Sequence, residues 1–281
     1  MANYDKQFAN RAQANSIFID TIKALSDVGQ ERNHTSSVNA LAVICSTRAQ
    51  LQQAQSKAQY LIYKPEFINS QTIKEARECN AFLDLPSFSD NNYLHGLLLD
   101  SEVGVVCHNV GHVGLARKLR LPYVAGSGLN IYNDFIAREF SDAQTFVYSL
   151  ELTLNEISEF INQSGLVFVD GTITLMKLVH CPYKLNFKCD CSSCQATKQL
   201  TYTDELGNSF NVVRRKDRRC TFELQNGKKL SIVSKMKHGW RFLIDFDSRV
   251  VNHYLSLNNG IDDGYVETVP YTKGRLFDKV N

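Results

Sequence analysis

The sequence predicts an α/β fold: a TIM-like β/α barrel, complete or partial, followed by a small β-rich module that contains cysteines. Up to residue 169, short apolar runs recur about every 20 residues and alternate with segments of helical spacing, which is typical of parallel β/α units. Beyond residue 170, β-type runs and closely spaced cysteines replace that alternation. The predicted organisation is a helical segment over 1–38, β/α repeats over 39–165, and a metal- or cluster-binding module with a C-terminal tail over 166–281.

The first 38 residues are rich in Gln, Asn and Ala. Their apolar positions, such as Phe8, Ile17, Phe18 and Ile22, recur at roughly helical spacing until Gly29. An amphipathic helix of this kind usually covers the core of its own domain, and a dimerisation arm is the alternative.

The β/α repeats begin at residue 41. No G-x-G-x-x-G motif follows the first strand, as a dinucleotide-binding fold would require, so the repetition favours a barrel over an open doubly wound sheet. The predicted strands are LAVIC at 41–45, YLIY at 60–63, AFLDL at 81–85, VGVVC at 103–107, PYVAG at 122–126, TFVYS at 145–149 and LVFV at 166–169.

The pattern changes at Asp170-Gly171, a dipeptide that favours a tight hairpin between 167–169 and 172–179. The β-type runs that follow extend to residue 245, and a helix is predicted at about 248–256.

Clustered cysteines are the most informative motif. Cys191 and Cys194 form a C-x-x-C pair, and Cys181 and Cys220 flank it, so four thiolates could close a tetrahedral cage. Cys189 is the surplus residue because it lies outside the C-x-x-C pair. From spacing alone, structural zinc and an iron–sulfur cluster are equally supported, and free or redox-active thiols are a third interpretation.

Polar residues follow several predicted strands, where the active sites of β/α barrels lie. They are Lys64, Asp84, His108, Asn109, Asn130 and Glu151. Of these, His108, Asn109, Asn130 and Glu151 are predicted substrate-binding residues. The basic run 214–219, which begins with Arg214 and Arg215, predicts contact with nucleic-acid phosphates, and a solvated hairpin tip is the alternative.

Composition narrows the function classes. With 31 Lys+Arg against 29 Asp+Glu, the formal net charge of +2 gives no bulk electrostatic attraction to nucleic acid. The apolar runs are far shorter than the roughly 20 residues of a spanning helix, and the first residues are polar. We therefore expect a cytoplasmic protein with no membrane association. The sequence also lacks a G-x-S-x-G elbow, an H-E-x-x-H helix and a P-loop.

Several passages resemble the peptidase U-32 family, the collagenase-like proteases and RNA hydroxylation factors. In the C-terminal half these are LMKLVHCPYKLNFKCDCSSCQ at 175–195, residues 200–210, CTFELQN at 220–226, IDF at 244–246 and YTKGR at 271–275. In the barrel region, VVCHNVGHVGLARK, YVAGSGLNIYN and SLELTLNEI are similar to successive strands of the family. The resemblance covers about residues 40 to 281.

The resemblance implies a TIM-like barrel with an appended β module. It also implies a four-iron four-sulfur (4Fe–4S) cluster held by Cys181, Cys191, Cys194 and Cys220. The implied function is oxygen-independent hydroxylation of a base in transfer or ribosomal RNA, with RNA as the partner. Two alternatives stay open: collagenase-like peptidase activity, and a non-catalytic subunit that completes the barrel of a partner.

Overall fold

A curled, mostly parallel β-sheet carries the main hydrophobic core. The computed structural model describes residues 40–161, 164–188, 190–192, 194, 200–236, 240–274 and 276. The predicted helical segment over 1–38 lies outside these residues. A mixed α/β fold is confirmed.

The strands and helices follow the predicted alternation closely. The strands are β1 Ala40–Cys45, β2 Tyr60–Tyr63, β3 Phe82–Asp84, β4 Val105–Cys107, β5 Tyr123–Ala125, β6 Thr145–Phe146, β7 Val167–Gly171, β8 Thr174–Leu178, β9 Leu200–Thr203, β10 Ser209–Lys216, β11 Cys220–Asn226, β12 Lys229–Ser231, β13 Arg241–Asp245 and β14 Tyr271–Thr272. The helices are α1 Arg48–Ala54, α2 Ser70–Glu78, α3 Asn91–Leu98, α4 Val110–Leu119, α5 Asp134–Glu139, α6 Leu154–Ser158, α7 Pro182–Phe187 and α8 Ser248–Asn258.

Polar side chains fix where the helices begin. Each described helix except α7 has an N-cap residue whose side chain accepts a hydrogen bond from a backbone N–H of the first turn. These N-caps are Thr47, Asn69, Asp90, Asn109, Asn133, Thr153 and Asp247. Because the caps follow strands directly or after a short loop, they start the helices beside the carboxyl ends of the strands.

The large sheet has the strand order β14-β12-β7-β13-β1-β2-β3-β4-β5-β6. Its strands are parallel from β7 through β13 to β6, and β12 is antiparallel to β7. Val147, just after β6, forms a parallel bridge with Leu166, just before β7. Leu166 N–H donates to Phe146 O at 2.7 Å, and Tyr148 N–H donates to Leu166 O at 3.1 Å. The sheet therefore curls until β6 meets the start of β7.

A second, four-stranded antiparallel sheet has the order β8-β11-β10-β9 and its own small core of Tyr183, Leu200, Val212 and Phe222. The predicted hairpin at Asp170-Gly171 is wrong, because β7 pairs with β13 and β12, whereas β8 pairs with β11. The chain changes sheets after Gly171 and returns to the large sheet at β12. The change of sheet therefore does not coincide with the predicted division at residue 166.

Among the described residues, none of the helices has the length and apolarity needed to cross a membrane.

Candidate functional site

A cavity of about 420 Å³ lies at the carboxyl ends of the parallel strands, and β8 and β11 of the second sheet form part of its wall. Its volume is in the range of small-molecule sites, about 300–1,000 Å³. Its polar lining residues are Lys64, Asp84, Ser87, His108, Ser127, Asn130, Ser149, Glu151, Thr172, Thr174, Lys177, Glu223 and Asp245.

The cavity brings together most of the predicted strand-end residues. Lys64, Asp84, His108, Asn130 and Glu151 all line it. They follow five different strands, so only the parallel arrangement places them around one space. Their roles in substrate binding stay predictions.

Asn109 is not part of the cavity wall. Its Oδ1 accepts a hydrogen bond from His112 N–H at 2.9 Å as the cap of α4, and its Nδ2 donates to Ser87 O at 2.9 Å. Asn109, the residue after His108, thus caps α4, the helix that follows β4. An N-cap residue is expected at this point of a β/α unit.

His108 is held between Asp84 and the Ser127–Leu129 turn. Its Nε2 lies 2.8 Å from Asp84 Oδ2, and its Nδ1 accepts a hydrogen bond from Gly128 N–H at 3.3 Å. Since Nδ1 accepts, the proton of the neutral ring lies on Nε2 and points to the carboxylate. The imidazole is therefore fixed in one tautomer at the edge of the cavity.

Asp84 also receives Arg215 from the second sheet. Arg215 Nη1 donates to Asp84 Oδ1 at 2.8 Å and Nη2 donates to Asp84 O at 2.7 Å, and Arg215 is 2% exposed. Burial acts to raise the pKa of Asp84, but His108 and Arg215 outweigh it and hold this pKa well below its ordinary value. Asp84 is therefore an anion under all physiological conditions.

Lys64 and Glu223 make a second contact between the sheets. Lys64 Nζ donates to Glu223 Oε2 at 2.7 Å, and Thr174 Oγ1 donates to the same atom at 3.1 Å. Arg215 Nη1 is 3.7 Å from Glu223 Oε1. Burial would raise the pKa of Glu223, but Lys64 and Arg215 lower it overall. The result is a continuous network of buried charges that joins the two sheets beside the cavity.

The basic run 214–219 is divided by this packing. Arg215 is buried against Asp84, so its guanidinium faces the protein interior and not the surface. Arg214 pairs with Glu66, and its side chain is 11% exposed. Arg218 and Arg219 at the tip of the β10–β11 hairpin are exposed. The surface part of the run is thus its tip.

Asp245 and Lys177 also line the cavity, and sequence reasoning missed both. Asp245 Oδ2 accepts a hydrogen bond from Thr172 N–H at 2.7 Å, and burial raises the pKa of Asp245 to about 6. Lys177 Nζ donates to Ser87 Oγ at 2.5 Å, and burial lowers its pKa. Asp245 ends an apolar strand just as Asp84 does. The sequence pattern places residues 241–245 in the β module, so it does not predict that Asp245 lies at the edge of the large sheet.

Gly171 lies next to the Asp245 carboxylate. It adopts φ +143°, and a Cβ on this residue would lie 2.5 Å from Asp245 Oδ2. Glycine is therefore required here both by backbone conformation and by the close approach of the carboxylate.

A second cavity of about 510 Å³ adjoins the first and shares Ile44, Lys64, Thr172 and Asp245 with it. Its wall also includes Tyr183 and Arg214. Tyr183 packs in the small core against which Cys181 and Cys220 lie. The wall of the second cavity thus includes two residues that neighbour the cysteines, Tyr183 and Arg214.

Three of the predicted ligand cysteines are neighbours. Cys181 and Cys220 pack against the same core, and Cys194 Sγ accepts a hydrogen bond from Arg214 Nη1 at 3.4 Å. Burial raises the pKa of the Cys220 thiol, and Cys194 and Cys181 add to this while Lys216 and Arg214 oppose it. Cys191 is exposed, and Cys189 lies outside the described residues.

All four predicted ligands, Cys181, Cys191, Cys194 and Cys220, are free thiols. Their chemistry fits a thiolate-bound metal, either zinc or an iron–sulfur cluster. Among the described residues, however, no three His, Cys, Asp or Glu side chains already form a group that could hold an ion. Cys181, Cys194 and Cys220 are therefore gathered in one region, without a closed cage among the described residues.

Comparison of the chain with protein-family models, curated proteins and solved structures finds no match.

Proposed function

We propose that this protein is a divergent member of the peptidase U-32 family that takes part in oxygen-independent hydroxylation of an RNA base, with a 4Fe–4S cluster at its cysteines. The observation that carries the proposal is the position of the 420 Å³ cavity: it holds acid–base side chains from both sheets and adjoins a second cavity, lined by Tyr183 and Arg214, which neighbour Cys181, Cys220 and Cys194. The cavity volume is large enough for a small-molecule group such as a single base.

We propose that β13, β1 to β6 and β7 are the strands of a TIM-type barrel. The hydrogen bonds of Leu166 with Phe146 and Tyr148 support this, because they join the end of β6 to the start of β7. β7 in turn pairs with β13 at the other end of the series. The location of the cavity at the carboxyl ends of the strands agrees with the usual position of barrel active sites.

Hydroxylation replaces a C–H bond with a C–OH bond. With water as the oxygen source, the base loses two electrons and two protons are released, and an external one-electron carrier accepts the electrons. A bound cluster would supply one-electron transfer, and Cys181, Cys191, Cys194 and Cys220 would hold it.

Asp245 is the residue best suited to accept a proton in the cavity. Its pKa of about 6 lies near neutral pH, so the carboxylate is available as a base and the acid form is accessible.

Asn130 is held in one orientation beside the same cavity. Its Oδ1 accepts a hydrogen bond from Ser149 Oγ at 2.5 Å, so the Nδ2 group is the one available to a carbonyl of the nucleobase.

An exposed rim beside the cavity supports RNA as the substrate. Phe67 and Phe88 are 38% and 51% exposed, and the Arg218 side chain is 70% exposed. Backbone hydrogen bonds join Lys216 to Glu66 and Ile68, and Asp90 N–H donates to the carboxylate oxygen Asp217 Oδ2. These bonds place both aromatic loops against the hairpin tip. Aromatic rings among cations are typical of single-stranded RNA binding.

Analysis of modified nucleosides tests the proposal. In a strain that lacks this gene, grown without oxygen, one transfer or ribosomal RNA nucleoside should lose an oxygen atom and the unmodified base should accumulate. The wild-type gene should restore the modification and the Asp245→Asn gene should not. Unchanged nucleosides in both RNA classes would exclude RNA hydroxylation.

A further inference from the structure

Arg214 lies between the cysteines and the large sheet, and its guanidinium contacts groups on both sides. Its Nη1 donates to Cys194 Sγ at 3.4 Å, and its Nε donates to Glu66 Oε1 at 2.5 Å. The guanidinium carbon lies 5.0 Å from the centroid of the Phe67 ring. With its side chain 11% exposed, Arg214 has little freedom to point elsewhere.

The strand register brings a second cysteine to the same place. In the antiparallel pair of β10 and β11, Lys216 is opposite Cys220 and Arg214 is opposite Phe222. Phe222 is in turn opposite Leu178 of β8, which leads to Cys181. Arg214 is therefore level with Phe222, a residue of the small core against which Cys181 and Cys220 pack, and its guanidinium reaches Cys194.

Cationic side chains lie beside the cysteines: Lys216 is opposite Cys220, and Arg214 contacts Cys194. A metal centre held by four thiolates is anionic in both its zinc and its iron–sulfur form, and a partly buried anion requires a nearby cation or hydrogen-bond donors. Arg214 provides both in one group. Glu66, with a side chain 44% exposed, offsets part of the positive charge.

We propose that Arg214 is a positioning residue of the thiolate centre, which donates a charge-assisted hydrogen bond to Cys194 and, opposed by Glu66, sets the reduction potential of the bound cluster. The inference rests on the cluster of the proposed function. Reduction adds a negative charge to the centre, so a nearby cation stabilises the reduced form and raises the potential. Glu66 acts in the opposite direction, because its carboxylate partly neutralises the guanidinium.

The test is a spectroelectrochemical titration of the full-length protein, reconstituted with iron and sulfide without oxygen. Arg214→Gln should disfavour the reduced form about tenfold, which is a decrease of about 59 mV for a one-electron couple. Glu66→Gln should shift the potential upward. Arg138→Gln is the matched control, since it removes an exposed arginine of α5 and should leave the potential unchanged.

The outcomes separate the inference from the proposed function. Wild-type protein that binds no iron would overturn both. A cluster whose potential is the same in wild type, Arg214→Gln and Glu66→Gln would overturn the role of Arg214 alone. If the Arg214→Gln protein does not hold a cluster, the Glu66→Gln variant still tests the inference, because Glu66 is exposed. A reduction potential that falls or stays the same in Glu66→Gln would contradict the role of Arg214.

Discussion

Arg215 of the four-stranded sheet reaches Asp84 at the end of β3 with both Nη atoms, 2.8 Å from the carboxylate and 2.7 Å from the backbone oxygen. This pair attaches the cysteine-bearing sheet to the large sheet at the cavity. Because Asp84 also contacts His108, the same carboxylate connects the packing of the two sheets with the orientation of a cavity residue.

Asp84→Asn should therefore be strongly destabilising. It removes the nearer of the two carboxylates beside the buried Arg215 guanidinium, and loss of one partner of a buried pair costs about 3–5 kcal/mol. Chemical denaturation measures the free energy of unfolding. The control is Asp142→Asn, which breaks the exposed pair with Arg117 and should cost about 0–1 kcal/mol. Equal losses in the two variants would contradict a buried structural role for Asp84.

Asp245→Asn should stabilise the protein at neutral pH. The folded-state pKa of about 6 lies above the ordinary value of 3.8, so the charged form of Asp245 costs stability as pH rises through this interval. The variant should gain about 2–3 kcal/mol at about pH 7 and almost nothing near pH 4. Denaturation midpoints at the two pH values measure this. A gain that does not depend on pH would contradict the raised pKa of Asp245. Full activity of the variant would contradict its role as the proton acceptor.

Asn109→Ala separates a helix cap from a substrate ligand. Loss of the cap of α4 should cost about 1 kcal/mol of stability, and RNA binding should not change. Asn133→Ala, at the cap of α5, is the matched substitution and should have a similar cost. A specific loss of RNA affinity in Asn109→Ala alone would restore Asn109 as a substrate-binding residue.

The exposed rim should bind single-stranded RNA. Phe88→Ala together with Arg218→Gln should weaken binding of a short oligonucleotide at least about fivefold and reduce its salt dependence, because one stacking surface and one phosphate contact are lost. Fluorescence anisotropy at several salt concentrations measures both quantities. Phe135→Ala with Arg138→Gln removes a similar exposed ring and cation from α5 and should have no effect. Equal weakening by both pairs would argue against a specific rim.

Metal content should depend on the gathered cysteines. Cys194→Ala and Cys220→Ala should each lower the bound iron or zinc, whereas Cys79→Ala, which removes a buried thiol of the main core at the end of α2, should not. Metal analysis of protein purified without oxygen measures this. Retention of the full metal content in both ligand variants would exclude the proposed cage.

Much of the site could be predicted from sequence because each strand-end residue lies at or shortly after the end of its own strand. Lys64 and His108 come directly after their strands, Asp84 ends β3, and Asn130 and Glu151 follow within five residues of theirs, and a parallel sheet places such positions at one edge. Asp245 ends β13 in the same way. It was missed because the chain returns to the large sheet after an excursion through another sheet, which no local pattern records.

The sequence by itself determined the local elements of this protein: the helix caps, the alternation of strands and helices, and the cysteine spacing. These follow from side-chain periodicity and from hydrogen bonds between close neighbours in the chain. Only the tertiary structure decided that β13 pairs with β1, that β7 and β8 belong to different sheets, and that Arg215 is buried on Asp84. Such choices depend on which distant segments bury their apolar faces and satisfy their charges together.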